Sequence, residues 1–395
     1  MIGRRNLIQG SVGMTTFGLL GGGLTGCGDA SKSGGAAAGS EWRIGSYLSL
    51  TGPESKFGED SKRGIELAFE EINAAGGVKG KKFKVLFEDD KSNANEATNK
   101  VQQLIDRDKV IALLGEVASA ISKAGGIIAN KKQIPMITPS STHPDVTKVG
   151  EYVFRVCFVD DFQGQAGAEF CVKTLGKKKI GLMFAENNLY SQGLATEFKK
   201  AVQALGGEIV LEKKFTNEES NFTTYITEMK AANPEIIYAP VYYKQMTQIG
   251  RQARAEGITP DMFVGGDGWS GDDTLLKELE GAHFTDHYAP DVPWEKSKKF
   301  VEAYKKKFNN EAPSSVAAGG YDAAYVLADS IKRAKEDTPK GIRDAIAETK
   351  EFPGATGVIT IDADRNAQKP AVIVQIKGGT TSYRAVVGPG SEKIL

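Results

Sequence analysis

The chain has 395 residues, and its 50 basic and 50 acidic side chains leave no formal net charge. That balance argues against a nucleic-acid binder, whose phosphate contacts need a clustered basic excess. With 40% hydrophobic and 25% charged residues the composition is globular, and three cysteines are too few for a disulfide framework or a multi-cysteine zinc module.

The first forty residues read as export machinery. Arg4 and Arg5 precede a weakly apolar stretch, Leu7 to Leu24, with no acid before residue 27. A basic start and a modest apolar stretch predict an export signal over 1–26, of the general or the twin-arginine type. Leu24-Thr25-Gly26-Cys27 resembles a bacterial lipobox, which implies that Cys27 is lipidated and holds the protein at a membrane; the alternative is a free thiol behind a secretory signal. Gly28–Ser40 is rich in Gly, Ala and Ser and predicts a flexible tether. Without residues 1–26 the chain keeps 48 basic and 50 acidic residues, a formal charge of −2.

Beyond the tether, short apolar runs alternate with longer amphipathic ones. Strands are expected at 43–50, 83–88, 110–114 and 135–138. The helices between them are expected at 58–75, 95–106 and 119–130. In the first helix Ile65, Ala68, Phe69 and Ile72 recur at helical spacing, and Gly76-Gly77 supplies the stop. The pattern then restarts, with strands at 179–184, 208–215, 235–239 and 262–265. Helices at 193–205, 222–232 and 246–256 separate them. The strand–helix–strand layout of 110–138 recurs at 235–264, which predicts two similar α/β lobes with parallel sheets. Three helices (294–308, 313–334, 340–349) and two strands (357–362, 371–376) close the chain.

In open parallel sheets ligands bind beyond the carboxyl ends of the strands. Those positions carry Phe57, Val117, Ala118, Ser119, Ser140, Thr142, Tyr190, Tyr242, Asp267 and Trp269. The set suits a zwitterion held between two lobes. Ser119 opens a helix, whose free N–H groups favour a carboxylate. Ser140 and Thr142 add donors, Asp267 can pair with an ammonium, and Phe57, Tyr190, Tyr242 and Trp269 can close over the rest. Taken singly, Ser119 and Thr142 are equally what helix capping would place there.

Catalytic and metal readings find little support. Gly266-x-Gly268-x-x-Gly271 matches a dinucleotide fingerprint on paper, but it lies late in the chain and carries Asp267, which would repel a pyrophosphate. His283 and His287 are four apart in a segment that reads as strand or hinge, and the His-Glu-x-x-His pattern is missing. No nucleophile elbow is present, and no cofactor or metal is expected. Cys157, in an apolar strand, and Cys171, in the next helix, either pair or are two buried free thiols.

Several stretches together resemble one family. These are Leu50-Thr51-Gly52-Pro53, Glu71-Ile72-Asn73-Ala74-Ala75-Gly76-Gly77, Ile137-Thr138-Pro139-Ser140-Ser141-Thr142, Tyr190-Ser191-Gln192-Gly193 and Gly265-Gly266-Asp267-Gly268-Trp269. The mature chain resembles the periplasmic branched-chain amino acid binding proteins, the type I substrate-binding proteins of ABC importers. The resemblance implies two lobes joined by a three-strand hinge, lobe 1 at 41–160 plus 290–368 and lobe 2 at 161–289 plus 369–395. It implies that Ser119 and Thr142 grip the ligand carboxylate. The Ser140 backbone and Asp267 would grip the ammonium, and Tyr190 would close from the second lobe. Phe57, Val117, Ala118, Tyr242 and Val316 would line the side-chain pocket. It also implies a membrane permease as partner and a function without enzymatic activity. Members of the family also bind amides, urea or aromatic acids, and the same fold can serve a sensor.

Overall fold

The computed structural model describes residues 41–388. The export signal, Cys27, the tether and the last seven residues of lobe 2 lie outside the described residues. Among the described residues no helix is long and apolar enough to cross a membrane.

Five strands form a wholly parallel sheet: β1 Glu41–Leu48, β2 Lys82–Asp89, β3 Ala112–Leu114, β4 Met136–Thr138 and β5 Val153–Arg155. Their order is β2-β1-β3-β4-β5. The next five repeat the arrangement: β6 Lys179–Ala185, β7 Glu208–Phe215, β8 Ile236–Tyr238, β9 Phe263–Gly265 and β10 His283–Asp286. They run parallel in the order β7-β6-β8-β9-β10. The internal repeat seen in the sequence is thus a repeat of topology. Strands β3, β4 and β8 are buried on both faces, which is why they read as unbroken apolar runs.

The remaining strands are β11 Phe352–Gly354, β12 Gly357–Ile361, β13 Ala367–Gln368, β14 Ala371–Lys377 and β15 Thr380–Val387. The first three make a small antiparallel sheet, while β14 and β15 add antiparallel to β10. The chain therefore passes from the first large sheet to the second after β5, leaves the second after β10 for helices and the small sheet, and returns to it after β13. The second sheet is mixed and not purely parallel, because its last two strands come from the C-terminal hairpin.

Element boundaries shift from expectation for local reasons. The helix expected from Gly193 starts at Leu189, because the Asn188 side chain accepts from the Ser191 amide at 3.1 Å and caps it. Strand β15 escaped the sequence reading, although Gly378 and Gly379, both at positive φ, form the tight turn before it. Cys157 lies just past β5 and not in a strand. Both Cys157 and Cys171 are free and buried.

Two helices, Ser55–Ala74 and Ser315–Arg333, lie against one another through their glycines. An added Cβ at Gly64 would sit 1.9 Å from the Ala317 carbonyl oxygen, and one at Gly320 would sit 2.5 Å from that of Ser61. This close approach sets Phe57 and Val316, near the starts of the two helices, beside the same cavity.

Candidate functional site

The ends of both large sheets meet at a small, nearly closed cavity of about 10 Å³. That is at most the room of about one water, so the walls stand closed on one another. Larger hollows exist, such as one of about 560 Å³ near Arg333 and Glu348, but exposed charges such as Lys335, Glu336 and Lys340 line it.

One wall is built by loops that follow β3 and β4. Helix Ser119–Lys131 opens with Ala118 at its N-cap and no side-chain cap from the N-cap residue, and Ser119 at its start lines the cavity. Hydroxyls fasten this loop to the next. Ser141 Oγ donates to the Val117 carbonyl at 2.8 Å, and Thr138 Oγ1 to that of Glu116 at 2.5 Å. Arg155, fully buried on β5, donates to the carbonyls of Ser141 at 2.5 Å and His143 at 2.8 Å. Ser140 and Thr142 are thereby held at the cavity edge. Glu116 lies beneath, accepting from the amides of Ser49 at 3.1 Å and Ala118 at 2.5 Å. Burial, and then the nearby Asp90, push its carboxyl well above the usual range.

The facing wall comes from the second sheet. Tyr190 stacks on Tyr242 with centroids 5.2 Å apart, and Phe57 meets Tyr242 edge-on at 5.4 Å. The Gly268 amide donates to the Tyr190 hydroxyl at 3.0 Å. Gly266 and Gly268 serve this packing: a Cβ at Gly266 would fall 2.5 Å from the Tyr190 hydroxyl, and one at Gly268 2.9 Å from its ring. The glycine spacing that imitates a dinucleotide fingerprint is thus explained by ring packing.

Asp267 is 7% exposed. Its Oδ1 accepts from Gln163 Nε2 at 3.0 Å, and its Oδ2 meets His287 Nε2 at 3.2 Å. Among the described residues no lysine or arginine pairs with it. A carboxylate buried against neutral donors alone is an expensive arrangement unless a cation completes it.

Nine of the eleven expected ligand-site residues line this cavity: Phe57, Val117, Ser119, Ser140, Thr142, Tyr190, Tyr242, Asp267 and Val316. Two do not. Trp269 is fully buried behind the wall, folded over Gly265, with its Nε1 donating to the Ala239 carbonyl at 3.0 Å. It fills a core gap and does not close over a ligand. Ala118 is buried as a member of the apolar cluster that also holds Val101, Leu104 and Ile121. Gly268, Gln163, His287 and Arg155 were not foreseen. Only Gly268, inside the quoted motif, carried a local signal. Among the described residues no group of three or more His, Cys, Asp or Glu could hold a metal ion.

Beside the cavity Tyr243 bridges the two halves. Its hydroxyl donates to the Pro53 carbonyl at 2.8 Å and accepts from the Lys56 amide at 3.2 Å, while Lys244 Nζ donates to the Gly52 carbonyl at 3.2 Å. Its ring also packs on Phe57, centroids 4.9 Å apart.

Asp286, at the end of β10, is fully buried and accepts from Ser270 Oγ at 2.5 Å. Burial pushes its carboxyl up to about 7. A raised acid binds its proton more tightly in the folded state. Its contribution to stability is therefore full below about pH 4 and is lost as pH rises through about 7. At ~1.4 kcal/mol per pKa unit the ceiling is about 4 kcal/mol. We expect Asp286→Asn to gain thermal stability relative to wild type between pH 5 and pH 8. A melting difference that does not change with pH would count against this account.

Comparison with known proteins agrees with this geometry. A family model described as periplasmic binding protein matches residues 41–381. A leucine binding protein from Thermotoga maritima is 37% identical with a TM-score of 0.83, covering 88% of this chain and 99% of its own. The substrate binding protein of a branched-chain amino acid transporter from Streptococcus pneumoniae, solved with isoleucine, is 32% identical with a TM-score of 0.82, covering 88% of this chain and 100% of its own. A Leu/Ile/Val-binding protein homolog from Brucella melitensis is 28% identical over 342 residues, 85% of this chain and 91% of the relative. Matched from its first described strand to its last, the chain belongs to the periplasmic binding protein family, whose members bind solutes and are not enzymes.

Proposed function

We infer that the protein is the extracytoplasmic solute-binding lipoprotein of an ABC importer, and that it takes an amino acid with a branched or other apolar side chain. The lobes would be 41–160 plus 290–368 and 161–289 plus 369–395, hinged at the three crossings, with Cys27 lipidated and holding the protein to a membrane. Docking on one lobe and closure of the other would complete the site for recognition by a permease.

The observation that carries this reading is Asp267, a buried carboxylate with no cation. An ammonium supplies one. The uncapped start of helix Ser119–Lys131, with Ser140 and Thr142, supplies donors for a carboxylate. Phe57, Val117, Tyr242 and Val316 offer an apolar surface to the side chain. An aromatic acid, urea or a simple amide brings no cation and would leave Asp267 uncompensated.

The test is a calorimetric panel of leucine, isoleucine and valine against benzoate, urea and 4-methylpentanoate, which is leucine without its amine. We expect binding of the amino acids only, the missing ammonium costing roughly a hundredfold or more. Equal affinity for 4-methylpentanoate, or preference for benzoate, would overturn the reading.

A further inference from the structure

Two neutral donors hold Asp267 in place without discharging it. Gln163, on helix Asp160–Glu169, donates Nε2 to Asp267 Oδ1 at 3.0 Å and to Thr285 Oγ1 at 2.9 Å. Both of its amide hydrogens are thus engaged, which fixes the side chain. An ionised carboxylate only accepts, so His287 must present Nε2–H to Oδ2 across the 3.2 Å contact. The imidazole is 2% exposed and lies on the Phe158 ring, centroids 3.9 Å apart. Its Nδ1 has no hydrogen-bond partner, so a proton added there would meet no acceptor.

The charges around the ring pull in opposite directions. Burial lowers its proton affinity first, Asp267 raises it, and Lys369 lowers it again. Lys369 is itself pushed down to about 8 by burial. Asp286, the preceding residue, is occupied by Ser270 and by the His287 amide at 2.7 Å. Asp160, buried near Asp267, has its carboxyl pushed well up, by burial and then by Asp267. Cys157, which faces Lys369 and Asp267, is pushed up to about 12 by burial. At neutral pH the ring is therefore uncharged, and its contact with Asp267 is a hydrogen bond from a neutral donor.

The geometry points to His287 and Gln163 as positioning residues that aim Asp267 at the ligand ammonium, with protonation of His287 competing with that ammonium for the same carboxylate. This rests on the amino-acid reading of the cavity. Acid would then release the ligand. By linkage a bound amino acid would hold the proton off His287 to the same extent.

The test is leucine titration of wild type and His287→Asn at about pH 7.5 and about pH 5. The asparagine keeps an N–H donor but takes up no proton. We expect wild type to lose at least about tenfold in affinity on acidification and the variant less than about threefold, although the variant binds more weakly at both pH values. An equal acid loss in both proteins would overturn the proposal. Should the variant not fold, NMR titration of the imidazoles of wild type decides: His287 must protonate at lower pH with leucine bound, and an unmoved titration rejects the proposal. If wild type binds none of leucine, isoleucine or valine even at neutral pH, the amino-acid reading itself has failed, and the proposal falls with it. That failure shows at neutral pH, whereas failure of the proposal alone shows only in the acid limb.

Discussion

Replacing Asp267 by alanine should abolish amino acid binding. Among the described residues the carboxylate is the only acidic group lining the cavity, and no lysine or arginine pairs with it. Removing one partner of a buried charged pair costs about 3–5 kcal/mol, a loss of roughly a hundredfold to several thousandfold in affinity. Part of that cost comes from the ligand ammonium, which would be buried facing the empty place. Asp267→Asn should fall almost as far, because it keeps the shape but not the charge. The fold should survive both changes, since the side chain makes two hydrogen bonds, to Gln163 and His287, and fills no part of the apolar core. Calorimetry with leucine, beside a melting curve for each variant, checks both halves of the expectation. Affinity within about fivefold of wild type would sink the site assignment.

The largest expected loss of stability lies elsewhere, at Gly64. Its ideal Cβ falls 1.9 Å from the Ala317 carbonyl oxygen, and that oxygen is backbone. Gly64→Val therefore has to push helix Ser55–Ala74 away from helix Ser315–Arg333. Overpacking of this kind costs typically ~1–3 kcal/mol, and a backbone clash belongs at the upper end. We expect the melting temperature to fall by about 5 °C or more. Binding should weaken as well, because Phe57 and Val316 ride on the two helices that separate. An unchanged melting temperature would show that the helices are not in the contact described.

Much of the architecture is legible in the residues because the alternation of β and α elements obeys two simple periods. Strands such as β3 and β8, buried on both faces, announce themselves as apolar runs, and helix Ala94–Asp106 by its spacing of Val101, Leu104 and Ile105. The order of each sheet follows from the repeat. The antiparallel addition of β14 and β15 does not, because nothing in a strand's own composition says which neighbour it will join. The cavity was foreseen as far as position after a strand allows. Ser119, Ser140, Thr142 and Asp267 all follow strand ends. Trp269 follows one too, and the same rule mislabels it, since position along a strand does not say which way a side chain turns. Gln163 and His287 could not be found this way. Each is remote in sequence from Asp267, by 104 and 20 residues, and only the folded chain brings them to it.

The hydroxyl of Tyr243 bonds to no residue that lines the cavity. It is shared with the backbone of Pro53 and Lys56, a bond into which no ligand atom enters. If the two halves are hinged as proposed, a carrier fastened in this way would need less of its cargo's binding energy to stay shut, and some empty carriers would stand in the loaded shape. Such a design favours retention of a scarce solute over a sharp distinction between full and empty. The transporter it serves would then have to tell the two apart by something other than outline.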